Sequence, residues 1–161
     1  MRFAKYQGLG NDFIVVDSRE SDVVLTPCRV RHLCDRRLGI GADGVLVIRA
    51  SSQAVVEMVV HNADGGVAEM CGNGLRCVAH YLRNRDPALP ESYLVETGAG
   101  PLQITHHGDK VSVGMGGVTD HGLVHLQLEG RPLRGSELPD RPLNAEATAK
   151  ELVAAADDIC S

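Results

Sequence analysis

The chemistry in this chain concentrates in one run: Asn62-Ala63-Asp64-Gly65-Gly66-Val67-Ala68-Glu69-Met70-Cys71-Gly72-Asn73-Gly74-Leu75-Arg76-Cys77. Apolar residues at 75, 78, 79 and 82 follow the helical period, so Cys71 falls just before a predicted helix. Unpaired backbone N–H groups at a helix start favour negative charge, which lowers a thiol's pKa and makes thiolate available. Gly72 and Gly74 carry no side chain, so a ligand can approach the backbone, and the same N–H groups can hold a carboxylate. A thiolate beside a carboxylate pocket serves as a nucleophile or as a general base. A nucleophile would want a partner His. His61 and His80 are the nearest in sequence, but neither stands at a recognised spacing. The plain alternative is a helix-capping loop around a buried cysteine; two glycines flanking Asn73 directly after the thiol weigh against it.

Two further glycine runs carry weight. Gly39-Ile40-Gly41-Ala42-Asp43-Gly44 matches the dinucleotide pattern G-x-G-x-x-G, but follows a predicted helix and leads into a strand, the reverse of what that site needs. Nucleotide binding is therefore not expected. In Gly8-Leu9-Gly10-Asn11-Asp12-Phe13, Asn11 offers an amide donor and an acceptor suited to an amino-acid head group. A turn asparagine is the competing reading for Asn11, and equally for Asn62. The pairs Cys28/Cys34 and Cys71/Cys77 each enclose five residues, wider than the two to four of common zinc spacings. No metal is expected, and Cys28, Cys34 and Cys77 are expected as small core residues.

These residues need a scaffold, and the coarse pattern is mostly strand with a few helices. Strands are expected at 3–6, 13–17, 45–48, 55–61, 92–96, 102–105 and 111–113, with turns at the intervening Gly, Asn and Asp clusters. Thr26-Pro27 reads as a cap and first residue of a helix that Gly39 closes. With 161 residues, 43% hydrophobic and only 3% aromatic, the core must be built from aliphatic side chains. No apolar run approaches the roughly 18–20 residues that span a membrane, and Met1–Lys5 lacks a signal peptide's apolar stretch, so a cytoplasmic location is expected. A net charge of −5 argues against nucleic acid. Residues 1–117 carry 12 basic and 13 acidic side chains, whereas 118–161 carry 4 and 8, so most of the acidity lies in the tail. The character also changes there: Pro132, Pro139 and Pro142 mark loops, with a strand expected at 123–128 and an Ala-rich helix at 144–159.

Gly8–Phe13, Cys34-Asp35-Arg36 with Gly39–Gly44, and Asn62–Gly65 through Ala68–Cys77, in that order, resemble diaminopimelate epimerase. The resemblance extends through Val95-Glu96-Thr97-Gly98-Ala99-Gly100 and fades after about residue 117. It implies an α/β (α+β) domain over 1–117, a curved, mostly antiparallel sheet wrapped around a central helix. Residues 118–161 are then a divergent tail or the start of a truncated second domain. It implies a cofactor-independent isomerase that interconverts LL- and meso-diaminopimelate on the route to lysine and peptidoglycan precursors, without pyridoxal phosphate. Two cysteines address the substrate α-carbon from opposite faces, one as thiolate base, the other as thiol acid. Cys71 corresponds to the first of them. Gly72 and Asn73 would bind substrate through backbone N–H groups, and Asn11 and Asn62 through side-chain amides.

Three departures qualify the resemblance. Gln7 stands where the family often has His, and Gly44 where some members have a substrate-contacting Gln. Nothing matches the second domain's Ala-Cys-Gly-Thr/Ser-Gly motif; Cys160 is followed only by Ser161. Two other readings are therefore carried forward: a catalytically inactive diaminopimelate-binding or assembly module, and a related racemase acting on another amino acid. A homodimer, or a partner chain supplying the second domain, is the partner the resemblance implies besides the substrate.

Overall fold

Unbroken aliphatic runs such as Phe13–Val16 and Val45–Ile48 require cover on both faces of a sheet. The structure, a computed structural model, supplies that cover. It describes residues 2–21 and 23–115, together with the strand backbone at 127–128 and 131–132. The chain divides into two compact units, Met1–Gly117 and Val118–Ser161.

In the first unit, β1 (Ala4–Gly8) and β2 (Asn11–Asp17) form a hairpin, and α1 (Pro27–Cys34) crosses over to β3 (Gly44–Arg49), which runs parallel to β2. Strand β4 (Val56–Asn62) returns antiparallel to β3, with the short β5 (Val67–Ala68) paired on it. Helix α2 (Gly72–Arg85) then leads to β6 (Ser92–Thr97), parallel to β4, followed by the antiparallel β7 (Gly100–His107) and β8 (Lys110–Val113). The sheet order is β1-β2-β3-β4-β6-β7-β8. Both end strands, β1 and β8, touch α2, which an open flat sheet could not arrange. The sheet is curled around that helix, and α1 lies against its outer face. The expected α+β architecture, a curved and mostly antiparallel sheet around a central helix, is the one observed.

Strand alternation divides the core in two. Phe13, Val15, Leu46 and Ile48 point inward and pack with Leu75, Val78, Ala79 and Leu82 of α2. Their neighbours Ile14, Val16, Val45 and Val47 point outward and pack with Val30 and Cys34 of α1. One run of four residues thus feeds both layers, as a period of two requires.

The first helix is shorter than the sequence suggests. Thr26 caps it, Oγ1 accepting from Arg29 N at 3.3 Å, with Pro27 at its start as expected. It ends at Cys34 rather than near Gly39, because the Asp35 carboxylate accepts the Arg37 and Leu38 N–H groups at 2.7 and 2.8 Å and opens a turn. Gly39 serves close packing instead: a Cβ there would fall 1.9 Å from the His32 carbonyl oxygen. Cys28 is exposed, not a core residue, because the buried face of α1 runs through Val30 and Cys34, four residues apart. Cys34 and Cys77 are buried as expected. Phe3 lies outside β1 and is half exposed, and β5 follows the turn at 62–66 where no strand was expected.

In the second unit, β9 (Gln127–Leu128) pairs antiparallel with β10 (Arg131–Pro132). The rest of the strand expected at 123–128, and the helix expected at 144–159, lie outside the described residues.

Candidate active site

Cys71 is the N-cap of α2. Its backbone is extended, its carbonyl accepts from Leu75 N at 2.9 Å, and its Sγ accepts from Gly74 N at 3.3 Å. The sulfur therefore occupies the place a Ser or Asp oxygen takes in a conventional cap. Gly74 permits this: a Cβ there would fall 3.0 Å from Leu46 Cδ2 and 3.3 Å from Cys71 Cβ. Among the described residues, the Gly72 and Asn73 N–H groups meet no protein acceptor, so two unpaired donors lie in the turn that the sulfur caps. The Asn73 side chain turns back along its helix, Oδ1 accepting from Arg76 Nη1 at 3.0 Å. Ala99 N donates to the Glu69 carbonyl at 3.1 Å, tying the segment before Cys71 to the β6–β7 turn.

Register brings the asparagines to the same end of the sheet. Phe13 pairs with Gly44, and Gly44 with Asn62, so Asn11, Asp43 and Asn62 belong to adjacent strand ends. Asn62 closes β4, its N–H donating to Gly66 O at 2.8 Å and its carbonyl accepting from Gly65 N at 2.9 Å. Its side chain is exposed. The β1–β2 hairpin leans onto the first turn of α2. A Cβ on Gly8 would lie 3.2 Å from the Asn73 carbonyl oxygen and 3.4 Å from Cys77 Sγ. Leu9 and Gly10, with φ of 55° and 86°, make the two-residue turn that places Asn11 opposite Gly8. Gln7 has a local task here, its Oε1 accepting from Gly10 N at 3.1 Å.

A charged network that the sequence did not single out stands behind Asn11. Asp12 accepts from Lys5 Nζ at 2.6 Å and from Arg36 Nη2 at 2.6 Å, and Arg36 Nη2 also reaches Asp43 Oδ1 at 2.8 Å. Hydrogen bonds from Arg36 and then Lys5 hold the Asp12 carboxyl far below the usual carboxylate range. The Asp12 N–H, followed by the Asn11 amide, does the same for Asp43 to a smaller extent. The signal was present in the acidic residues flanking both glycine runs, but spacing alone does not reveal that they share one arginine.

Other candidates fall away from the thiol. His61 lies buried on β4, where burial and then Arg49 depress its pKa. His80 stacks edge-on with His106 at 6.4 Å, roughly 13 Å along the helix from Cys71. Neither histidine hydrogen-bonds Cys71 among the described residues. Cys77 is pushed up to about 11, by burial first and the nearby Cys71 second, so it stays a neutral thiol. A cleft of about 520 Å³ lined by Arg2, Asp17, Arg19, Tyr81 and Arg85 opens at the other end of α2 and contains none of the expected site residues. No cluster of three or more His, Cys, Asp or Glu suited to a metal ion occurs among the described residues. Nor is any described helix long and apolar enough to cross a membrane.

The curled sheet around a central helix defines the class by fold, one shared with part of a PhzF-family structure. The PhzF-family phenazine biosynthesis protein of Bacillus anthracis superposes with a TM-score of 0.51 at 22% identity, over 65% of this chain and 36% of that one. The family model for diaminopimelate epimerase matches residues 3–120, and the chain belongs to that family. The diaminopimelate epimerase of Acidovorax ebreus is 45% identical over 120 residues, covering 72% of this chain and 41% of that protein. The chloroplastic enzyme of Oryza sativa subsp. japonica is 40% identical over 162 residues, covering 98% of this chain and 41% of its own. This chain thus spans less than half the length of these two relatives.

Proposed function

We propose that residues 1–117 are the first half of a diaminopimelate epimerase, acting in the cytoplasm, in which Cys71 exchanges a proton with the substrate α-carbon. The observation that carries this is the cap of α2. Its Gly72 and Asn73 N–H groups have no acceptor among the described residues, and Cys71 Sγ caps the same turn. A carboxylate on those two donors brings its own α-carbon next to the sulfur. The thiolate takes the α-proton, leaving a carbanion whose charge spreads into the carboxylate that the N–H groups hold. With no histidine bonded to Cys71 among the described residues, proton transfer is favoured over the nucleophilic alternative. Asn11 and Asn62, at strand ends on either side of β3, bind the remainder of the substrate. Inversion needs a second acid on the opposite face, which we assign to the second half of the family's fold, provided by further polypeptide or a partner chain. Residues 118–161 are read as the start of that half.

The test is α-proton exchange of diaminopimelate in deuterated water, followed by mass spectrometry. Exchange is expected with the native protein and is expected to vanish in Cys71→Ala. Exchange at an unchanged rate in that variant would remove Cys71 from the chemistry. The second reading, a diaminopimelate-binding module without turnover, predicts a different outcome. Calorimetric binding with no exchange by the native chain would select it.

A further inference from the structure

Asn11 is a nearly symmetric group. Its amide can present an N–H donor or a carbonyl acceptor to a ligand, and rotation by half a turn exchanges the two. In this chain one partner settles the choice. Asn11 Nδ2 donates to Asp43 Oδ2 at 2.8 Å, and the same oxygen accepts the Asp12 N–H at 3.0 Å. An ionised carboxylate only accepts, so the nitrogen of Asn11 must face it and the Oδ1 carbonyl must face away. Asp43 is itself fixed from three sides. Its other oxygen takes Arg36, its N–H donates to Asp12 O at 2.9 Å, and its carbonyl accepts from Ala63 N at 3.2 Å. Arg36 in turn is gripped by Asp12, which Lys5 also holds.

We infer that Asp43, braced by Arg36, is a positioning residue that locks Asn11 with its carbonyl outward, so that Asn11 reads an ammonium group of the substrate rather than a carboxylate. This rests on the proposed function, and it divides labour within that site. The helix cap offers donors to a carboxylate, and the Asn11 rim offers an acceptor to an ammonium. An α-amino acid carries both groups on one carbon. A ligand with a second carboxylate in place of the ammonium would meet that carbonyl oxygen, with only the second Nδ2–H of Asn11 left to offset it, and be disfavoured by repulsion between acceptors.

Two measurements on the full chain test this. The Asn11 side-chain amide protons and the Asp12 N–H share one acceptor, so a nuclear Overhauser effect between them is expected in the native protein and is lost in Asp43→Ala. Its absence from the native protein overturns the lock whether or not any ligand binds. The second is calorimetric titration of meso-diaminopimelate into the native chain, Asn11→Ala, Asp43→Asn, Asp43→Ala and the Asn11→Ala/Asp43→Ala double variant. Loss of one charge-assisted hydrogen bond weakens binding about tenfold or more in Asn11→Ala. Asp43→Ala is expected to lose a similar factor, the isosteric Asp43→Asn a smaller one, and the double variant no more than Asn11→Ala alone. Factors that multiply in the double variant, or native affinity in both Asp43 variants, overturn the inference. A native chain that binds no diaminopimelate sinks the proposed function instead, and the amide contact still decides the lock.

Discussion

Gly44 shows how one missing side chain constrains this site. It starts β3 opposite Asn62, and a Cβ there would come 2.6 Å from the His61 carbonyl oxygen, a backbone atom that a rotamer change cannot move. The glutamine that the family resemblance implies for some members at this position would therefore meet backbone here. Gly44→Ala is expected to destabilise the fold by about 1–3 kcal/mol, the usual cost of overpacking, read as a lower urea midpoint with an unchanged slope. Asn11 carries a second lesson at this scale. Its candidacy was visible from its residue type, but the direction of its amide was not, because that depends on Asp43, 32 residues away. Cys71 lies at the other extreme. Its type, the glycines after it and the apolar period beyond them place it at a helix start, and it is the cap.

Among the elements, the ion network joins β1, β2, the turn after α1 and the start of β3 through Lys5, Asp12, Arg36 and Asp43. Its pH dependence follows from the direction of the shifts. Asp12 and Asp43 are held below their ordinary value of 3.8, so their contribution is complete above that pH and is lost as pH falls below it. Unfolding free energy is thus expected to be level across neutral pH and to drop below about pH 4. Arg36→Ala should lower stability near pH 7 and make the acid loss shallower, since the carboxyls then titrate closer to their unfolded value. Urea titrations between pH 2 and 7 measure both, and an equally steep acid limb in the variant would contradict this account. Arg36 is more than half exposed, so solvent screens its ion pairs and the effect is modest. Element boundaries were legible where local chemistry decides them, as at Thr26-Pro27. They were not where a side chain intervenes, as when the Asp35 carboxylate ends α1 at Cys34, five residues before Gly39.

For the molecule as a whole, the two core layers share their strands. Because β2 and β3 send alternate residues inward to α2 and outward to α1, neither layer can melt while the other survives. Leu46→Ala in the inner layer and Ile14→Ala in the outer one are each expected to cost about 2–5 kcal/mol. Each should lower the protection of slowly exchanging amides in β2 and β3 by the same amount, as native-state hydrogen exchange would show. Separate losses confined to one layer would mean two folding units. The mixed sheet itself was only partly legible. Alternation and turn residues locate strands, but the parallel pairing of β4 with β6 spans α2 and has no local signature. The contact of both sheet ends with α2 also bears on synthesis. Helix α2 leaves the ribosome before Lys110–Val113, so the sheet around it stays open along one edge until β8 arrives. Translation pauses within that interval would prolong exposure of the apolar face, when a chaperone's cover matters most.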